Sequence, residues 1–140
     1  MSSLQYLLTP FFAWFIAGTL KFLINSLKAR RFAFDLIGYG GLPSNHSAIV
    51  ASMAALIGLN EGLSSPAFGV AITLAFIVIL DASSLRRQMG KHAAALNKII
   101  QSNDDDKSLL RERMGHTPFE IICGLLIGIL AAILSRALLS

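Results

Sequence analysis

Charge is what this chain has least of. Only 14% of its 140 residues are Asp, Glu, Lys or Arg, against about 25% in ordinary soluble domains. With 54% hydrophobic residues and a mean hydropathy of +0.65, a soluble domain of this size could not hide its apolar surface, so the chain reads as an integral membrane protein. There is one cysteine, Cys123, inside an apolar run. That excludes an intrachain disulfide and leaves the redox compartment open. The N-terminal MSSLQYLLTPFF has no basic stretch and no small-residue cleavage site, so no cleaved signal peptide is expected. Internal repeats are lacking, and the only low-complexity tract is Asp104–Asp106. Close ligand spacings such as HxxxH are also lacking, so neither a metal nor another cofactor is expected. The net charge of +4 does not call for nucleic acid, because basic residues in membrane proteins set topology or meet lipid headgroups.

What is present is long apolar runs. They predict an all-α fold: a single integral membrane domain over 1–140, built as a bundle of about four transmembrane helices with a polar helical insertion between the third and fourth. The expected spans cover about 4–27, 44–60, 66–82 and 118–139, with the polar helical loop at about 83–117. A span needs roughly 20 apolar residues, with about 17 a lower limit, so the second and third are expected to extend into their flanks. Between them, NEGLSSP holds Asn60, Gly62 and Pro66, all breakers. The first half of the insertion places Leu85, Met89, Ala93, Leu96 and Ile100 at helical spacing. Its second half opens on the acidic triplet and ends in RERMG, which reads as helix-capping chemistry in preference to a metal site. Thr117, Pro118 and Glu120 then form a capping-box pattern that opens the last span. Gly124 and Gly128 in that span, and Ala48, Ser52 and Ala55 in the second, are spaced for close helix approach. The contact is either internal or a homodimer through the last span.

Topology gathers the polar residues. If the first span runs outward to inward, ten of the twelve Lys and Arg fall on one side: Lys28, Arg30, Arg31, Arg86, Arg87, Lys91, Lys98, Lys107, Arg111 and Arg113. The positive-inside tendency makes that side cytoplasmic, and the expected location is a bacterial inner membrane. Some of these cations could instead serve a ligand. Lys21, His46, Asp81, Arg86, Arg87, His92 and His116 also fall near this face. Ionisable groups at membrane depth are costly and by default functional. Each has a plainer reading: Lys21 can snorkel, Asp81 can pair with an arginine, Arg86 and Arg87 can set topology, and His92 and His116 can be interfacial or turn residues.

The stretch GGLPSNHSA, Gly40–Ala48, sets a histidine at a helix N-terminus with free backbone N–H groups. Such a terminus attracts phosphate. Phosphoryl transfer without a nucleotide needs cations around the equatorial oxygens, a nucleophile and a proton donor. Lys21, Arg86 and Arg87 are candidates for the first, with Ser44 and Asn45 at the cradle. His46, His92 and His116 are candidates for the others, and Asp81 could orient one of them.

PSNHSA, then DASSLRRQMGKHAAALN, then MGHTPFE resemble the divergent branch of the type-2 phosphatidic acid phosphatase superfamily, named for relatedness to acid phosphatases and vanadium-dependent haloperoxidases. The resemblance runs from Lys21 into the last span. It implies that Lys21 is the first-motif lysine, with Arg30 a wrongly spaced companion. It implies that Pro43, Ser44 and His46 form the second motif, Asn45 replacing glycine, and that Arg86 and His92 carry the third-motif spacing. The implied reaction is metal-independent hydrolysis of a phosphate ester or anhydride through a phosphohistidine, the second-motif histidine protonating the leaving group. Leu85 stands where a serine belongs and Leu96 where the orienting aspartate belongs, and the superfamily usually has six spans. On a continuous helix Arg86 and His92 would lie about 120° apart. Asp81 and His92 would share a face within about 20° but lie over ~16 Å apart, so their pairing needs a break, for which Gly90 is the candidate. The nucleophile is therefore either His92 or His116. The function expected is a membrane phosphatase acting on a lipid phosphate or pyrophosphate; the alternative is a non-catalytic membrane protein with an anion- or phospholipid-headgroup-binding face.

Overall fold

The computed structural model describes residues 3–32, 41–103, 109–112 and 114–139. They form helices α1 (Ser3–Ala29), α2 (Asn45–Glu61), α3 (Pro66–Leu80), a π-turn (Asp81–Leu85), α4 (Arg86–Asn103) and α5 (Pro118–Leu139). No strand occurs among the described residues. Three helical stretches are long and apolar enough to cross a membrane: Leu4–Ala29, the 36-residue run Pro66–Gln101, and Pro118–Leu139. The third segment does extend into its flank, through the π-turn into α4. The second does not: α2 keeps 17 residues and sits centrally, packed on α1, α3 and α5.

Helix ends follow local chemistry. Ser44 caps α2, its hydroxyl accepting the Ser47 N–H, and Ser65 caps α3 by accepting the Phe68 N–H, with Pro66 in the first turn. At α5 the capping box forms in both directions: Glu120 N–H donates to Thr117 Oγ1 (3.3 Å) and Thr117 N–H donates to Glu120 Oε2 (3.0 Å).

The packing is that of a membrane bundle, with small residues inside and large apolar ones outside. Ala13, Ala17, Ser47, Ala48, Ser52, Ala131 and Ala132 are buried, while Phe11, Phe15, Phe76 and Leu126 are exposed. A Cβ on Gly124 would collide with the Ser44 carbonyl, and one on Gly128 with the Ala48 carbonyl. The glycine face of α5 is therefore filled by α2 of the same chain. At these glycines the contact is the internal one.

Two further expectations change. The second half of the insertion does not continue as a helix: residues 109–112 and 114–117 are non-helical, and Asp104–Asp106 lie outside the described residues. The reason is local, since this segment returns along α4, where Asn97 takes its backbone. Asn97 Nδ2 donates to the Leu110 carbonyl and its Oδ1 accepts the Leu110 N–H, both at 2.8 Å. The helix break also lies elsewhere than Gly90. It is the π-turn, where Arg86 N–H reaches back to the Asp81 carbonyl.

At the far end of the bundle a buried polar clamp joins three helices. Gln5 Nε2 donates to the Ser135 carbonyl (3.3 Å), Asn60 Nδ2 donates to Gln5 Oε1 (3.2 Å), and Thr9 and Ser135 share a hydroxyl bond. Polar contacts of this kind between membrane helices are worth roughly 0.6–1.7 kcal/mol. Gln5→Leu should lower stability in detergent by about 1 kcal/mol, read as a lower unfolding midpoint. An unaltered midpoint would show that the clamp contributes nothing.

Candidate functional site

At the opposite end, α1, α2, the start of α4 and the segment before α5 enclose a cavity of about 240 Å³. Lys21 reaches it from α1, Asn45 and His46 from the first turn of α2, Arg86 from the end of the π-turn, and Arg111 and His116 from the returning segment. Trp14 and Ile49 form its apolar side. Trp14 and Lys21 are seven residues apart, hence on one face of α1 and about 10 Å apart along it. The cavity thus grades from cationic to apolar along that helix.

The π-turn builds much of this. In an α-helix the Ala82 carbonyl would accept the Arg86 N–H. Here that N–H goes to Asp81, and Ala82 accepts instead from His116 N–H at 2.9 Å. The same turn lets Arg86 Nε donate to Asp81 Oδ2 at 2.9 Å, with both side chains more than a third exposed. Such an exposed pair is worth little as stability; what it does is fix the direction of Arg86. Gly115 precedes His116 with φ +87°, and a Cβ there would lie 3.0 Å from the Arg87 backbone nitrogen. Only glycine suits both demands.

His116 is buried, and its Nδ1 lies 3.1 Å from Glu120 Oε2. With Nδ1–H directed at the carboxylate, Nε2 is the ring nitrogen left for chemistry. Burial pushes the His116 imidazole below its ordinary pKa; the Glu120 hydrogen bond pulls the other way, and Lys21 adds to the lowering. The ring centroid of His46 stands 6.1 Å from that of His116. His46 Nδ1 and Asn45 Oδ1 are buried without a hydrogen-bond partner among the described residues. Two imidazoles, an orphaned ring nitrogen and three cations around one cavity can hold an anion and move a proton beside it.

The arrangement does not gather every candidate. Ser44 is wholly buried, its hydroxyl taken by the α2 cap and its N–H by the Glu120 carbonyl (3.0 Å). Asp81 holds Arg86 and does not line the cavity. Arg87 and His92 are exposed on α4 and also lie outside it. Arg30 closes α1 at φ +50°, again away from the cavity. Gly40 lies outside the described residues. Two residues enter that sequence reasoning assigned other work. Glu120, a capping residue, also orients His116; the four-residue spacing in HTPFE was the available signal. Arg111, counted for topology, is brought in by the returning segment, which no local pattern announces. Among the described residues no three His, Cys, Asp or Glu side chains group to hold a metal ion.

The pattern defining the Divergent PAP2 family matches residues 3–131. The chain belongs to that family. It is 32% identical over 140 aligned residues, 89% of each chain, to the uncharacterized membrane protein YuiD of Bacillus subtilis (strain 168). No solved structure matches. Membership in the Divergent PAP2 family, this membrane-protein relative and the apolar helices together make the chain an all-α integral membrane protein in contact with a lipid bilayer.

Proposed function

We propose that this Divergent PAP2 family member is a membrane phosphatase that hydrolyses a lipid phosphate or diphosphate without a metal, on the cytoplasmic face of a bacterial inner membrane. The observation that carries the reading is the His46–His116 pair, 6.1 Å between ring centroids, at one cavity with Lys21, Arg86 and Arg111. In this mechanism the three cations hold the phosphoryl oxygens and neutralise charge as the transition state forms. His116 Nε2 attacks phosphorus, with Glu120 holding the ring and stabilising its positive charge. The bond to the leaving oxygen breaks, and His46 gives that oxygen a proton. Water, deprotonated by His46, then attacks the phosphohistidine and releases phosphate. The apolar side of the cavity at Trp14 and Ile49 suits a substrate whose chain runs into the bilayer.

One observation favours the non-catalytic alternative: Leu96 occupies the aspartate position of the third motif, and it and His92 face outward. In that reading the cavity only binds a phosphate headgroup. Phosphate release by purified protein in the presence of a chelator, from lipid monophosphates and diphosphates, separates the two. Turnover is expected, and His46→Ala should reduce it roughly 10²–10⁴-fold while the protein stays folded. Phosphate binding without release in the wild type would favour the binding protein. Undiminished release by folded His46→Ala would remove His46 from the mechanism.

A further inference from the structure

α4 has three distinct faces. With about 100° per residue, Gly90, Ala93 and Asn97 fall within one sector about 60° wide, and all three are buried. They meet the returning segment: Asn97 bonds Leu110 and donates to Glu112 Oε1 at 2.8 Å, and a Cβ on Gly90 would collide with the Glu112 carbonyl. Arg87, Lys91 and Lys98 fall in a second sector about 40° wide, and all are exposed. Met89, Leu96 and Ile99 share a third with His92, about 80° wide. These three apolar side chains are 50%, 49% and 58% exposed, and Leu85 just before them is 60% exposed.

This helix continues a membrane span. The run Pro66–Gln101 has 36 residues, about 54 Å of helix against a hydrocarbon core of about 30 Å. α4 therefore emerges from the core. Standing straight out into water, it would wet its whole apolar sector. Lying in the interface, it sinks that sector among the acyl chains and turns the basic one to the headgroups. An apolar face beside a Lys- and Arg-rich one is the pattern of interfacial helices. α4 carries Arg86, Arg87, Lys91 and Lys98 and no acidic residue, so the complementary surface is anionic.

We propose that α4 lies in the interface of an anionic phospholipid leaflet, with Met89, Leu96 and Ile99 in the acyl boundary and Arg87, Lys91 and Lys98 at the phosphates. The leaflet then sets the height of the returning segment clasped by Asn97, and with it Arg111 and His116. The cavity is held at headgroup depth. This assignment is independent of whether phosphate is hydrolysed there.

The test uses full-length protein in a Cys123→Ser background, with Met89→Cys, Leu96→Cys or Lys91→Cys labelled by a polarity-sensitive fluorophore. It is reconstituted in vesicles of phosphatidylcholine with or without phosphatidylglycerol, each containing a lipid that carries a quencher on its upper acyl chain. In anionic vesicles the probes at 89 and 96 should be quenched at least threefold more than the probe at 91. Replacing both Arg87 and Lys98 by Glu should remove most of that difference. Equal, water-like signals at all three positions would overturn the proposal. So would identical quenching in purely zwitterionic vesicles, which removes the charge complementarity. Quencher-insensitive apolar signals at 96 that come with Leu96→Cys disulfide dimers would overturn it in favour of a second copy of the chain.

Discussion

His116→Ala should stop phosphate release while His92→Ala leaves it close to wild type. Removing the group proposed to attack phosphorus should cost at least about 10²–10⁴-fold, whereas His92 is exposed on α4 and outside the cavity. Acid-quenched protein should carry an acid-labile phosphohistidine in wild type and in His92→Ala, and none in His116→Ala. Label lost only in His92→Ala would restore the third-motif histidine as nucleophile. The pH profile gives a second handle. Attack needs the neutral imidazole, and burial holds the His116 pKa below its ordinary value of 6.5. The acid limb of activity should therefore lie below 6.5, at the lowered His116 pKa, while loss of the His46 proton sets a separate alkaline limb. Glu120 opposes the lowering, so Glu120→Gln should move the acid limb to still lower pH as well as reduce turnover. A purely structural role for the capping box would reduce stability and leave the limb in place.

Gly124→Leu and Gly128→Leu should be the most disruptive single changes in the membrane core. Besides the carbonyl collisions, a Cβ at Gly124 would stand 2.9 Å from the Ser47 Cβ, and one at Gly128 2.8 Å from the Ala51 Cβ. Overpacking of a tight core costs about 1–3 kcal/mol and sometimes more, and leucine brings three further carbons. α5 would be forced off α2, breaking the Ser44–Glu120 link that ties the two histidine-bearing helix starts together. A displacement of about 1 Å at reacting groups can cost roughly 100-fold. We expect a lower unfolding midpoint in detergent and loss of phosphate release, with no change in oligomeric state. Gly69→Leu is the control, because a Cβ at Gly69 meets nothing within 4 Å. Equal behaviour of Gly69→Leu and Gly124→Leu would mean that the α2–α5 contact is not close.

What the sequence disclosed depended on whether the interaction was local. The Thr117–Glu120 box and the Ser65–Pro66 start of α3 are written within four residues, so their chemistry is visible in one dimension. Gly124 and Gly128 were readable as a packing face because close approach demands small residues whatever the partner. α4 was harder. Its stripe of Leu85, Met89 and Leu96 reads as an inward face by the rule for soluble helices. Beside a membrane the rule inverts, and the buried face is Gly90, Ala93 and Asn97. His92 has the third-motif spacing from Arg86, yet a helix puts it some 120° around. Arg111 reaches the cavity only because Asn97 holds a segment thirteen residues further on, and nothing in the intervening composition says so.

The π-turn also bears on how this chain tolerates changes of length. One residue more than an α-helical turn requires is inserted at Asp81–Leu85, and everything after it is out of phase with α3. Deleting a residue there would not merely shorten the chain by about 1.5 Å; it would turn the whole of α4 by about 100°. Arg86 would rotate out of the cavity, the Ala82 carbonyl would return to the helix, and the clasp formed by Asn97 would face lipid or water. A surface loop can absorb a lost or gained residue. Here the count of residues acts as an angle, and this part of the chain is fixed in length although no single side chain in it, Asp81 aside, is tied to the site.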